Sequence, residues 1–99
     1  MMALPNDSRR DVVSSHAPER SRIEVHADDE LVAWVDLRPG GPNTIIAHTE
    51  VVAGHERQGL GQVAVRAAVE HIAGEGKSVI AICPFARAVL ASDPGLAGT

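Results

Sequence analysis

From Arg22 onward, apolar Ile23, Val25 and Ala27 alternate with Arg22, Glu24 and His26. A period of two predicts a strand over 21–27. "DDE" (28–30) is turn chemistry, and "LVAWVDL" (31–37) is a second strand whose apolar run implies burial on parts of both faces. The two strands should form a hairpin. "RPGGPN" (38–43) is dense in turn residues. "TIIAHTEVVA" (44–53) is a third extended stretch, one bent strand or two short ones, and Gly54 ends it.

The period then changes. Over 59–73, Gln62, Arg66 and Glu70 form a polar stripe, while Leu60, Val63, Ala64, Ala67, Ala68 and Ile72 supply much of an apolar side, which predicts a helix. Arg66 and Glu70 are spaced to pair across one turn. Gly74 and Gly76 stop the helix. "SVIAIC" (78–83) has the continuous apolar run of a central strand. Pro84 suits the first turn of a last helix, "PFARAVLAS", which Asp93-Pro94-Gly95 ends. Residues 1–20 are polar and show no sustained period, so they read as a disordered or loosely docked tail. The predicted organisation is this tail and one domain over 21–99. Its order is β-β-β(-β)-α-β-α: antiparallel strands, one right-handed β-α-β crossover and a closing helix, a mixed α/β fold.

The chain has 99 residues, enough for one domain, and 44% of them are apolar, enough for a core. A domain this small leaves much surface exposed, so a homodimer would help it. The net charge of −4 and the lack of a basic stripe argue against nucleic acid as a partner. One cysteine, Cys83, excludes an internal disulfide and a cysteine-based zinc site. Of the five histidines (16, 26, 48, 55 and 71), none makes HxH or HExxH spacing, so no metal is expected. No apolar run reaches membrane-spanning length, and "MMALPNDSRR" lacks the apolar stretch of a signal peptide. A cytoplasmic protein is expected.

The candidate chemistry begins at Gly59 and Gly61, in the first turn of the best helix. Glycine there costs about 1 kcal/mol against alanine. A glycine turn between strand and helix can hold an anion on free N–H groups, aided by the helix dipole. The alternative is a tight turn with no ligand, which leaves both glycines unexplained. "GLGQVA" also fits the dinucleotide fingerprint, but the next strand ends in Cys83, not in an acid, and the chain is too short for two nucleotide-binding halves. "GEGKS" (74–78) resembles the end of a P-loop, yet it joins helix to strand and has His71 where a glycine belongs. In an unbroken strand His48 and Glu50 share a face with Ile46 and Val52. They could serve as base and orienter, although two residues on a solvated face is the commoner case. Cys83 is either a small buried hydrophobe or a thiolate favoured by a helix N-terminus. Trp34 and Phe85, the only aromatics, are expected in the core.

"HTEV" followed by "ERQGLGQVAVRAAVEHIAGEGKSVIAICPF" resembles the small stand-alone GCN5-related N-acetyltransferase proteins, in an H-T-E-V strand, a G-x-G turn and a C-P-F segment. The likeness spans roughly 22 to 95. It implies a mixed, mostly antiparallel sheet flanked by helices, with acetyl-CoA or another acyl-CoA as cosubstrate. The family's pyrophosphate loop falls on Glu56-Arg57-Gln58-Gly59-Leu60-Gly61, with amides from Arg57 to Gln62 on the diphosphate. The pantetheine arm would run beside Val51, Val52 and Ala53. Many members use a tyrosine as acid, and this chain has none. Cys83 is then the candidate acid, and Glu50 or His48 the candidate base. The helices that larger members insert between the first two strands are missing, which implies an open acceptor site for a small-molecule, peptide or protein amine. The competing class is a non-catalytic module that binds acyl-CoA.

Overall fold

The computed structural model describes residues 11–93 and Gly95. It contains β1 (Val12–Ala17), a 3-10 turn (Pro18–Arg20), β2 (Arg22–Ala27), β3 (Glu30–Gly40), β4 (Asn43–Val51), α1 (Leu60–Gly74), β5 (Ser78–Ala81) and α2 (Pro84–Ser92). The strands form one sheet in chain order. The first three pairings are antiparallel. β4 and β5 run parallel, which requires the crossover that α1 provides.

Local chemistry explains the hairpins. Ala27 pairs with Glu30, and the intervening Asp28 and Asp29 both take left-handed backbone, at φ 52° and 71°. Such two-residue turns match the twist of the strands, and Asp tolerates that conformation. The β3–β4 turn closes at Gly40 and Asn43, with Gly41 at φ 69°. β3 therefore runs past 37 through Arg38 and Pro39, which the composition marked as turn.

One face of the sheet carries the core. Ile23, Val25, Ala33, Val35, Leu37 and Ile46 pack with Leu60, Ala64, Val65, Ala68, Val69 and Ile72 of α1, and Cys83, Ala86 and Val89 complete the cluster. Val65 and Val69 are buried, whereas Val63 is exposed. The helix is apolar on most sides, and sheet contact selects which side is covered. Arg66 reaches Asp93 beyond α2 at 3.5 Å and does not pair with Glu70.

Three expectations are corrected. Residues 12–17 are not a tail: β1 pairs with β2 from Val12–Ala27 to Ala17–Arg22, and His16 stacks on His71 with ring centroids 4.1 Å apart. Val12 and Val13 are exposed, so this strand is held largely by backbone pairing and carries no buried periodic pattern. Residues 1–10 lie outside the described residues. β5 is an edge strand, not a central one, and Ile80 is exposed. Neither aromatic is core: Phe85 is 43% exposed, and Trp34 is half-buried with the Arg22 guanidinium 4.5 Å from its ring centroid.

The uncovered face is polar near β2. Glu24, although buried, is matched by Arg22 Nε at 2.8 Å and Arg20 Nη1 at 3.4 Å. A buried carboxylate survives when it is paired in this way. Among the described residues, no helix is long and apolar enough to cross a membrane.

Candidate functional site

The site begins where β4 loses its second neighbour. β5 pairs with β4 only from Asn43–Ser78 to Ile46–Ala81. The amides of Ile82 and Cys83 then both donate to the Ile46 carbonyl, at 3.0 and 3.3 Å. Pro84 has no N–H and opens α2, so the chain turns away. The two strands splay apart. Val52 N–H donates to Val32 O at 2.9 Å, toward β3. Strand alternation therefore turns the N–H and C=O of Val51 and Thr49 to the open side.

A bulge decides which side chains face that opening. Asp36 pairs with His48 but Leu37 pairs with Ile46, so Ala47 is an extra residue in β4. Ile46 faces the helices before the bulge, and Thr49 and Val51 face them after it. His48 and Glu50 do share a face, with Nε2 and Oε1 2.8 Å apart, but Ile46 is not on it. Both are solvent-exposed. Cys83 lies on the helix side, with Sγ 3.5 Å from Thr49 Oγ1. The three candidate catalytic residues thus fall into two groups on opposite faces, which meet only through the gap between β4 and β5.

Burial pushes the Cys83 thiol up. The Thr49 hydroxyl, the amides of Ala86 and Phe85 at the start of α2, and the Thr49 backbone outweigh burial and hold the thiol below its usual range. The residue is only 5% exposed, so the sulfur is a buried, hydrogen-bonded group beside a helix N-terminus.

The loop after β4 shapes a cleft. Gly54, Arg57 and Gly59 have positive φ, at 93°, 65° and 76°. The Gly54 N–H donates to Glu56 Oε1 at 3.0 Å. Gly59 caps α1 without any side-chain bond, the first turn holds no acidic residue, and the first intrahelical bond here is Val63 N–H to Gly59 O. The amides of Leu60, Gly61 and Gln62 precede that bond and face the cleft end of α1. The cleft measures about 380 Å³ and is lined by Val51, His55, Glu56, Arg57, Gly59, Leu60, Gly61, Gln62 and Phe85.

Six expected ligand residues meet here: Val51, Arg57, Gly59, Leu60, Gly61 and Gln62. Val52, Ala53 and Gln58 do not line the cleft, and the Val52 amide is spent on β3. His55 and Phe85 were not anticipated. Nothing local marks Phe85 as a wall; it becomes one because α2 starts beside α1. The glycines also need correction. A Cβ on Gly61 would lie 2.9 Å from Phe85 Cε2 and Cζ and 3.4 Å from Val51 Cγ2, so any larger residue requires the Phe85 ring to shift. Gly59 has open space, and its φ is what favours glycine. A ligand-free fold therefore accounts for both. Among the described residues, no three His, Cys, Asp or Glu side chains are grouped to hold a metal.

The mixed sheet, the split between β4 and β5 and the uncapped helix start together define a class: an α/β domain with a cleft at the start of a helix beside an open strand edge. Comparison with protein-family models matches residues 22–98 to the GCN5-related N-acetyl-transferase family. The chain belongs to that family, whose activity in general is acyl-CoA-dependent acetyl transfer. No curated protein matches the chain significantly.

Proposed function

We propose that this protein transfers an acyl group, acetyl first, from acyl-CoA to a primary amine by direct attack, as a member of the H-T-E-V, G-x-G, C-P-F subgroup. The observation that carries this is the cleft at the amino end of α1, which opens onto the free edge of β4. The first-turn amides of α1 and the Arg57 guanidinium receive the diphosphate. Val51 and Thr49 offer backbone groups to the pantetheine arm, as a sheet edge does to an added strand. The thioester then lies near the splay, beside Thr49 and Cys83.

The amine nitrogen attacks the thioester carbon, the C–S bond breaks, and the amine loses one proton as the thiolate gains one. Cys83 gives a proton to the departing thiolate. Its lowered proton affinity makes it a better acid than an ordinary thiol. His48, oriented by Glu50, accepts the amine proton from the outer face, with solvent as relay. Solvent then returns a proton to Cys83. The acceptor reaches this face unhindered, because only Asp28 and Asp29 join β2 to β3 and, among the described residues, no helix walls it. We place the enzyme in the cytoplasm, as a monomer or homodimer.

That openness also favours a second reading, a module that binds acyl-CoA without turnover. Calorimetry with acetyl-CoA tests the site. An acetyl-transfer assay over a panel of small and peptide amines separates the two readings, since tight binding with no transfer to any amine would leave only the module.

A further inference from the structure

The sheet ends on β1, and among the described residues no strand pairs beyond it. The Asp28 amide donates to Asp11 O, and the Leu37 amide to Ser21 O. Alternation from these two bonds assigns the amides and carbonyls of Val13, Ser15 and Ala17 to β2. Those of Val12, Ser14 and His16 therefore point away from β2, as a row of donors and acceptors along the outer edge.

Edge strands of stable monomers are blunted by charge, proline, bulges or a covering element. β1 has none of the first three. Its sequence, "VVSSHA", carries no Lys, Arg, Asp, Glu or Pro, and its six residues pair with β2 in unbroken register. The opposite edge differs, since β5 has four residues and Pro84 soon turns the chain away. On β1, Val12 and Val13 are 43% and 60% exposed, and strand alternation puts one on each face. Val12 shares the helix side with His16. A groove of about 290 Å³ lies there between β1 and α1, with Ser14, Ser15, His16, Ala67, Glu70 and His71 among its walls.

We propose that β1 is the interface of a homodimer, pairing antiparallel with β1 of a second copy about a two-fold axis at Ser14. In this register Val12 faces the partner's His16, Ser14 faces the partner's Ser14, and Val13 faces the partner's Ser15. Every outward amide and carbonyl of β1 then has a partner, which no other antiparallel register achieves. The partner's Val12 lies over the groove beside His16 and is covered there. Asp11 meets the partner's Ala17, so two chains of net charge −4 bring no pair of carboxylates face to face along the strand seam. The contact is isologous and closes at two copies. The cleft and the β4–β5 splay lie at the other end of the sheet, so the dimer leaves both copies of the site open.

The test is sedimentation of the full chain from about 1 µM to about 1 mM, which should show dimers that dissociate on dilution. Ser14→Pro removes the central outward N–H and no β1–β2 bond. It should weaken dimerisation roughly tenfold or more, with the monomer still folded by circular dichroism. Ser14→Lys and Ser14→Glu each set like charges opposite one another across the axis. Each should be monomeric alone, while an equimolar mixture of the two should dimerise again. This pair decides if Ser14→Pro fails to fold. A chain that is monomeric throughout overturns the inference. Slow hydrogen exchange at the Val12, Ser14 and His16 amides would then show that another segment of the same chain covers the edge, and fast exchange that the edge stays bare. A dimer indifferent to all three variants uses another surface and overturns it as well. Open-ended oligomers overturn it too, since they would join β1 of one copy to β5 of the next.

Discussion

β4 has two edges with different fates. Toward β3 it is paired along its whole length, from Gly40–Asn43 to Ala33–Val51, with one bulge. Toward β5 the ladder stops at Ile46, where one carbonyl takes two amides and the proline turn begins. The same nine residues thus serve as scaffold on one side and as a free row of donors and acceptors on the other. Changes on the paired edge should act on stability. Changes around the open edge should act on ligands, except where the cleft walls are themselves packed tightly.

Gly61 is that exception and gives the largest expected effect. Gly61→Val should cost about 1–3 kcal/mol from overpacking against Phe85, and it should abolish acyl-CoA binding by displacing the start of α1. Adding Phe85→Ala should recover part of the stability. A single variant that melts like the wild type would show that the close approach is not there.

Cys83→Ala sharpens the comparison at the splay itself. As the acid for the departing thiolate, its loss should slow transfer by roughly 10²-fold with CoA affinity little changed. Steady-state assays and calorimetry on the same sample separate these effects. Full turnover in the variant would retire the acid role and leave His48 and Glu50 as the only candidates.

Gln62→Glu probes the cleft without touching the core, since Gln62 is exposed. A carboxylate in the first turn should stabilise α1 by about 0.3–1 kcal/mol. The same charge should repel a diphosphate and weaken binding on the order of tenfold. A variant that melts no lower and binds acetyl-CoA as well as the wild type would move the phosphate site elsewhere.

The smallest effect is in pH dependence. The Cys83 thiol is held below its usual value of 9.0, so the unfolded chain binds more protons there than the folded one. Its contribution is complete above pH 9.0 and is lost as pH falls through the lowered folded value. Urea unfolding at stepped pH should show stability rising across that window in the wild type and a flatter profile in Cys83→Ala. Parallel profiles would mean that the Thr49 and helix contacts do not hold the thiolate.

Much of this architecture could be read along the chain. Alternation over 22–27 marks the strand and its apolar core face, and the helical stripe at Gln62, Arg66 and Glu70 matches the exposure observed, whereas Glu24 on the polar side of β2 is buried by its ion pairs with Arg20 and Arg22. The Asp28-Asp29 turn, Gly41, Gly59 and Pro84 act through their own backbone preferences, so each could be placed without knowing its neighbours. The G-x-G turn likewise pointed to the cleft end of α1. β1 was missed because an edge strand held by backbone pairing has little side-chain pattern, and β5 was misplaced because an apolar run does not say how many neighbours a strand has.

By itself, then, the sequence determined the order of elements from β2 to α2, the Asp28-Asp29 turn and the glycine start of α1, since these follow from local periodicity and from φ preferences. Only the tertiary structure decided that Ala47 bulges and reverses the faces of β4, that Ile46 ends the β5 ladder, that Phe85 leaves no room beside Gly61, and that His55 meets Glu30. Each of these joins residues far apart in the chain. Their geometry comes from how strands register and helices pack, and no local pattern encodes that.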